Sequence, residues 1–222
     1  RLISSAASDV YKRQLLNSKD FIEKQNKEAS KDTFKIKYID SIKSWSAPFV
    51  MSIANTRVVR RSVELHELNQ SGYGSDFTYK EFMNVKKYSS ALMVSIGLAI
   101  LGLMIVSPIS SLFRKLFTKP GNGPNKKTRD NGWFESIFIG KNTNNEFYKL
   151  RIYGDGDPGY KTTAKFICES ALCLVKSDGY LENTNKGGVL TTATGLGDHL
   201  IKRLKNADIL FEGPEKIAKT IT

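Results

Sequence analysis

Histidine and cysteine are nearly absent from this chain of 222 residues: the histidines are His66 and His199, the cysteines Cys168 and Cys173. So few histidines exclude a His-rich zinc centre, and two cysteines cannot build the disulfide framework of a small secreted domain. Cys168 and Cys173 lie in an apolar stretch that reads as helix, where their spacing turns them in different directions, so they cannot bridge each other. They fit buried thiols in a reducing compartment. No Gly-x-Gly-x-x-Gly follows a strand and no Gly-x-Ser-x-Gly occurs, which excludes a dinucleotide fold and a hydrolase nucleophile elbow within this sequence. Leu2 to Val10 lack the apolar core of a signal peptide, and the lone sequon Asn69-Gln70-Ser71 is too weak to imply secretion.

Charge is missing from one place and abundant elsewhere. Ser89 to Val106 carry none, whereas the whole chain has a formal net charge of +12. That balance favours an acidic partner. The basic residues are spread along the chain and no DNA- or RNA-binding motif is present, so no nucleic acid is expected. An anionic membrane or lipid-droplet surface suits the charge better, on the cytosolic face inside the cell.

Arg1 to Gln14 show no period and resemble translated linker sequence, so they are set aside as non-native, and the chain is expected to be a fragment. A Lys-rich lead-in covers 15–44, with the strand-like alternation Phe34-Lys35-Ile36-Lys37-Tyr38. An α+β domain is expected over 45–88 and 132–222, interrupted by an apolar membrane-type insertion at 89–118 and a Pro-, Gly-, Asn- and Lys-rich linker at 119–131. Within it, Asn55 or Thr56 caps a helix from Arg57 to Leu68. Trp133–Ile139 and Phe147–Tyr153 read as a hairpin around Gly140–Asn145, and Asp157-Pro158 opens a helix to Val175 with Ala164, Ile167, Cys168, Ala171, Leu172 and Val175 at helical spacing. Asp178-Gly179 stops that helix and Gly187-Gly188 precedes a short Val189-Leu190 strand. A last helix is expected at Gly197–Asn206 and a closing strand at Ile209–Phe211.

The apolar run is long enough to span a bilayer. A single crossing would separate the halves of one domain, so the expectation is a monotopic hairpin: one limb through Leu92, Ile96, Leu101 and Ile105, a bend at Pro108 and a return to Phe117. Lys86, Lys87, Arg114, Lys115 and Lys119 would sit at the headgroups.

Two places could carry chemistry. Backbone N–H groups at the start of a helix at Asn55 and Thr56 suit an anion, and Arg57 and Arg61, four apart, could hold a carboxylate or phosphate of substrate or cofactor, with Arg60 beside them; solvated surface arginines are the plain alternative. Gly154-Asp155-Gly156-Asp157-Pro158-Gly159-Tyr160-Lys161-Thr162 nearly spells a phosphate-binding loop, but Tyr160 breaks its spacing and the aspartates repel phosphate. It fails as a calcium loop as well, which leaves a tight turn with a helix cap, with Asp157, Gly159 and Tyr160 as cleft-lining candidates. No metal site is expected.

Four stretches then carry a family likeness: Trp45-Ser46-Ala47-Pro48-Phe49 into Asn55-Thr56-Arg57-Val58-Val59-Arg60-Arg61-Ser62; Gly72-Tyr73-Gly74-Ser75-Asp76-Phe77; Gly154 to Tyr160; and Gly187-Gly188-Val189-Leu190-Thr191 through Ala193-Thr194-Gly195-Leu196-Gly197-Asp198. Their order and spacing resemble saccharopine dehydrogenase-like oxidoreductases, which include trans-acting enoyl reductases. Thr192 stands where that family commonly has proline. The resemblance implies an N-terminal Rossmann domain that binds NAD(P) and a C-terminal substrate-side domain, a mixed sheet with helices, to which this chain corresponds. It implies a reductase of a lipid or acyl substrate in lipid metabolism once the two parts are joined, with NAD(P) in the complete protein and none bound by this part alone. The competing reading is a non-catalytic membrane- or lipid-droplet-associated protein that keeps the fold. A homodimer is open to either.

Overall fold

The computed structural model describes residues 17, 18, 21, 34–68, 72–74, 77–106, 123–176 and 189–218, with Ile105 and Val106 as backbone only. The expected linker at 1–14, the sequon, the bend at Pro108 with its return limb, the Asp178-Gly179 stop and Gly187-Gly188 lie outside the described residues. The elements in chain order are β1 (Lys37–Ile39), β2 (Ser44–Ala47), α1 (Ser52–Leu68), β3 (Met83–Val85), α2 (Tyr88–Val106), α3 (Lys126–Asn131), β4 (Trp133–Lys141), β5 (Phe147–Asp155), α4 (Lys161–Lys176), α5 (Thr192–Gly195), α6 (Gly197–Asn206) and β6 (Leu210–Ile217). They form an α+β architecture with two three-stranded sheets, ordered β1-β2-β3 and β4-β5-β6. The pairings β2–β3, β4–β5 and β5–β6 are all antiparallel, so the mixed sheet expected from the resemblance is not what forms.

Two compact units divide the chain. One comprises 1–37, 44–98 and 185–195; the other 38–43, 99–184 and 196–222. In the first unit Ser46 is fully buried and its Oγ accepts from the Lys37 N–H at 2.9 Å, while the buried Ser44 hydroxyl donates to the Val85 carbonyl at 2.8 Å and to Asn84 Oδ1. Trp45 meets Tyr88 edge to face at 5.0 Å. Helix α1 buries Ser52, Thr56, Ser62, Val63, Glu64 and Leu65.

In the second unit β4 and β5 pair over nine residues without a shift, from Trp133↔Asp155 to Lys141↔Phe147. The hairpin closes where Asn145 takes a left-handed conformation, φ 61°, which asparagine tolerates better than most residues. Asn142 fixes that turn: its Oδ1 accepts from the Glu146 N–H at 2.9 Å and its amide donates to Glu146 Oε2 at 2.8 Å. One face of the sheet is covered by α4 and α6. Phe134 meets Phe166 of α4 edge to face at 5.8 Å, and Ile209, 2% exposed, fills the same layer. Arg203 pairs with Glu169 at 2.7 Å and the Lys165 ammonium donates to the Ala207 carbonyl at 2.5 Å, which locks α6 to α4.

Several expectations are corrected. The apolar run does become a helix, α2, but among the described residues no helix is long and apolar enough to cross a membrane. Insertion of 89–118 as a membrane-type segment is therefore unsupported; Ser95, Gly97 and Gly102 interrupt the apolar surface of the run. Of its membrane candidates, Leu92 and Ile96 are exposed, Leu101 is half-buried and Ile105 continues the helix. The stripe expected on α4 sets the helix phase but faces outward: Ile167 is 65% exposed and Val175 80%. The side that packs inward is Thr162, Phe166, Glu169 and Cys173, an equally regular spacing disguised by polar residue types. Cys173 is buried as expected, whereas Cys168 is exposed. Val189 and Leu190 form no strand.

Candidate functional site

In the first unit the sequence candidates fall on α1, which starts at Ser52 rather than Arg57. The turn from Phe49 to Met51 launches it: Ser52 N–H donates to the Phe49 carbonyl at 3.1 Å, and the Ala54 and Asn55 N–H groups donate to the Met51 carbonyl. Most of the free N–H groups that would greet an anion are thus already satisfied. Asn55 and Thr56 do not cap the helix. Thr56, 2% exposed, donates back to the Ser52 carbonyl at 2.6 Å, and the Asn55 amide donates to Glu81 Oε2 at 2.9 Å. Glu81 also accepts the Tyr79 hydroxyl at 2.8 Å. Burial first, and the Glu81 carboxylate second, hold Tyr79 far above the ordinary phenol range, so it stays a neutral donor.

Arg57 and Arg61 share a helix face, but their surroundings differ. Arg61 Nη1 pairs with Glu64 Oε2 at 2.8 Å; Glu64 is 4% exposed at its side chain and also accepts the Ser18 N–H at 2.8 Å. Burial makes that carboxylate depend on its partners, so Arg61 is committed within the chain. Arg57 is half-buried and forms no ion pair among the described residues. Only Arg57 of this pair is placed to meet an external anion without giving up an internal one.

Beneath α1 lies a hydroxyl cluster that sequence reasoning missed. Thr191 stands just before α5, and its Oγ1 accepts from the Thr194 N–H at 3.4 Å while Thr194 Oγ1 accepts from the Thr191 N–H at 3.2 Å. This is a reciprocal cap built from two threonines. Ser62 of α1 shares a hydrogen bond with Thr191 Oγ1 at 2.8 Å, which ties the helix to this turn. The Thr-x-x-Thr spacing was the available signal. Glu64, three residues after Arg61, was the signal for the ion pair.

In the second unit the 154–162 turn is closed on itself. Gly156 N–H donates to the Gly132 carbonyl at 2.7 Å and Asp157 N–H to the Arg129 carbonyl at 3.0 Å. The Asp157 carboxylate accepts from the Tyr160 and Lys161 N–H groups at 2.9 and 3.2 Å, and the Thr162 hydroxyl donates to the Gly156 carbonyl at 3.0 Å. The Lys161 ammonium pairs with Asp130 at 2.8 Å, which holds that carboxyl below the usual range. The Gly156, Asp157, Tyr160 and Lys161 N–H groups and the Lys161 ammonium are engaged within the protein and the aspartates repel phosphate, so the turn does not fit a nucleotide phosphate. Asp157 is the cap of α4, Gly159 is exposed, and Tyr160, 53% exposed, lies beside Gly123. Among the described residues no cluster of His, Cys, Asp and Glu could hold a metal ion.

No family model matches the chain. It is similar to a provisionally named trans-acting enoyl reductase of Mycobacterium tuberculosis, 35% identical over 176 residues, covering 76% of this chain and 41% of that protein. The trans-acting enoyl reductases of Mycobacterium bovis and Mycobacterium ulcerans are 31% identical over 175 residues and 30% over 174, each covering 75% of this chain and 40% of the relative. The chain thus spans about two fifths of the length of the curated relatives it matches. No solved structure matches.

Proposed function

We propose that this chain is the substrate-side part of a saccharopine dehydrogenase-like enoyl reductase, acting on an unsaturated acyl group of a lipid. The observation that supports the enoyl reductase part of this reading is the 35% identity, over 176 residues, to a protein provisionally named a trans-acting enoyl reductase; the saccharopine dehydrogenase-like part rests on the sequence resemblance. The NAD(P) that reduction requires would be held outside the residues described here, since the one turn resembling a phosphate loop does not fit it. The chain's own part is to bind and orient the acyl substrate, with Arg57 facing the anionic end. The test is binding by this chain alone, followed by calorimetry, of an enoyl thioester and of NADPH. Saturable thioester binding, weakened at least tenfold by Arg57→Ala, is expected, and NADPH should give no saturable heat. Saturable NADPH binding without thioester binding would reverse the assignment.

A second reading concerns where the chain works. Helix α2 exposes Leu92, Met93, Ile96, Ile100 and Leu103, and Lys86 and Lys87 precede it on the exposed surface. From Phe82 to Arg129 the sequence has no acidic residue and eight basic ones. This supports peripheral contact with an anionic lipid surface, at the cytosolic face of a membrane or lipid droplet, whether or not the protein is catalytic.

A further inference from the structure

The two edges of the β4-β5-β6 sheet are unlike. The outer edge of β6 is blunted: Pro214 offers no N–H, the register with β5 shifts between Lys149 and Arg151, and Glu212, Glu215 and Lys216 crowd the strand. β4 lacks the proline and the register shift, and its charges, Glu135 and Lys141, leave the middle of the strand apolar. It runs nine residues as Trp-Phe-Glu-Ser-Ile-Phe-Ile-Gly-Lys without proline or register shift, and among the described residues no strand lies along its outer edge. Such an edge presents a row of unpaired N–H and C=O groups.

We infer that β4 pairs with β4 of a second copy, joining two three-stranded sheets into one. A two-fold axis perpendicular to the sheet keeps each side chain on its own face, so the paired residue numbers must add to an even sum. Full overlap of the nine residues then places Ile137 on the axis, opposite itself. On the open face Trp133 lies opposite Lys141 of the other copy and Glu135 opposite Ile139. Glu135, which pairs with Arg151 of β5 at 2.5 Å within its own chain, and the other copy's Lys141 become diagonal neighbours, so the cation extends an existing ion pair at both ends. On the helix-covered face each Phe134 lies over the other copy's Gly140, large against small. This charge and size complementarity selects a second copy over an unrelated strand.

The test uses sedimentation and cysteine cross-linking on the whole chain, with exposed Cys168 changed to Ser. The expected mass is twice 24.8 kDa at micromolar concentration. Ile137→Cys should form an intermolecular disulfide on mild oxidation, because residues directly opposite fall within disulfide reach. Ile139→Cys should not, since the two thiols would stand about 14 Å apart along the strands. Ile137→Lys, which sets two ammonium groups face to face, should return the monomer with its far-UV circular dichroism unchanged. If that variant does not fold, the cross-linking pattern alone decides. A monomeric parent chain, a dimer that survives Ile137→Lys, or cross-linking at 139 as fast as at 137 overturns the pairing.

Discussion

A single methyl group separates two glycines that look alike in sequence. At Gly132 an added Cβ would stand 2.6 Å from both Cα and N of Asp157, which are backbone atoms and cannot swing aside; at Gly140 it would meet nothing within 4 Å. Gly132→Ala must therefore push the 154–162 turn off α3, at about 1–3 kcal/mol for overpacking. Within one chain Gly140→Ala should be nearly neutral, its only close neighbour being Phe134 of the second copy inferred above, and thermal melting of the two variants at concentrations too low for pairing checks the contrast. Glu146 offers a second prediction at this scale. Hydrogen bonds from Lys216, Asn142 and Tyr148 hold its carboxyl below the usual glutamate range. A carboxyl depressed in the folded state contributes stability above its unfolded pKa and loses it as pH falls through the folded one. The hairpin should therefore loosen on acidification below the ordinary value of 4.5. The NMR titration midpoint of Glu146 should lie below that value, and Glu146→Gln should remove this part of the acid sensitivity.

Helix α1 shows how an element can be read in kind and missed in phase. Its existence, the β4–β5 hairpin and α6 at Gly197–Asn206 were legible because periodicity and turn residues are local signals. Its start was not, because the Phe49–Met51 turn that launches the helix has no polar cap to announce it. On α4 the inward face hid behind Thr162 and Glu169, while the outward apolar stripe gave the louder signal. The i,i+3 spacing of Arg61 and Glu64 was open to reading, but not that the pair is structural, because the sequence reports charge and not burial. From this follows a test of which arginine is structural. Arg61→Ala leaves a carboxylate that is 4% exposed without its cation. Such losses cost 3–5 kcal/mol in fully buried pairs; with Arg61 30% exposed, about 1–2 kcal/mol is expected. Arg57→Ala should cost almost nothing in denaturant midpoint, and Arg61→Ala combined with Glu64→Gln should recover much of the loss.

For the whole molecule, the sequence disclosed an uneven distribution of charge but not which surface would use it. An uncharged helix could equally have been a core element; its exposure is what the structure adds. Met93 and Leu103 are both 72% exposed on α2, a high degree for large apolar side chains. Lys86 and Lys87 adjoin its first turn, and the basic stretch to Arg129 carries no acid to oppose an anionic surface. On the lipid-surface reading proposed above, two attractions would act together: burial of apolar side chains at the acyl boundary, and about 1 kcal/mol per lysine near anionic headgroups. Each has its own signature. The chain should co-sediment with phosphatidylserine-containing vesicles, and binding should fall as salt rises, because screening weakens only the electrostatic part. Lys86→Ala with Lys87→Ala should lower the vesicle affinity by roughly tenfold or more, and leave what remains less sensitive to salt. Met93→Glu with Leu103→Glu should abolish binding without loss of fold, since both side chains are already in solvent. Equal binding to neutral and anionic vesicles would remove the lysines from the account, and failure to bind either would leave the exposed face of α2 to a protein partner.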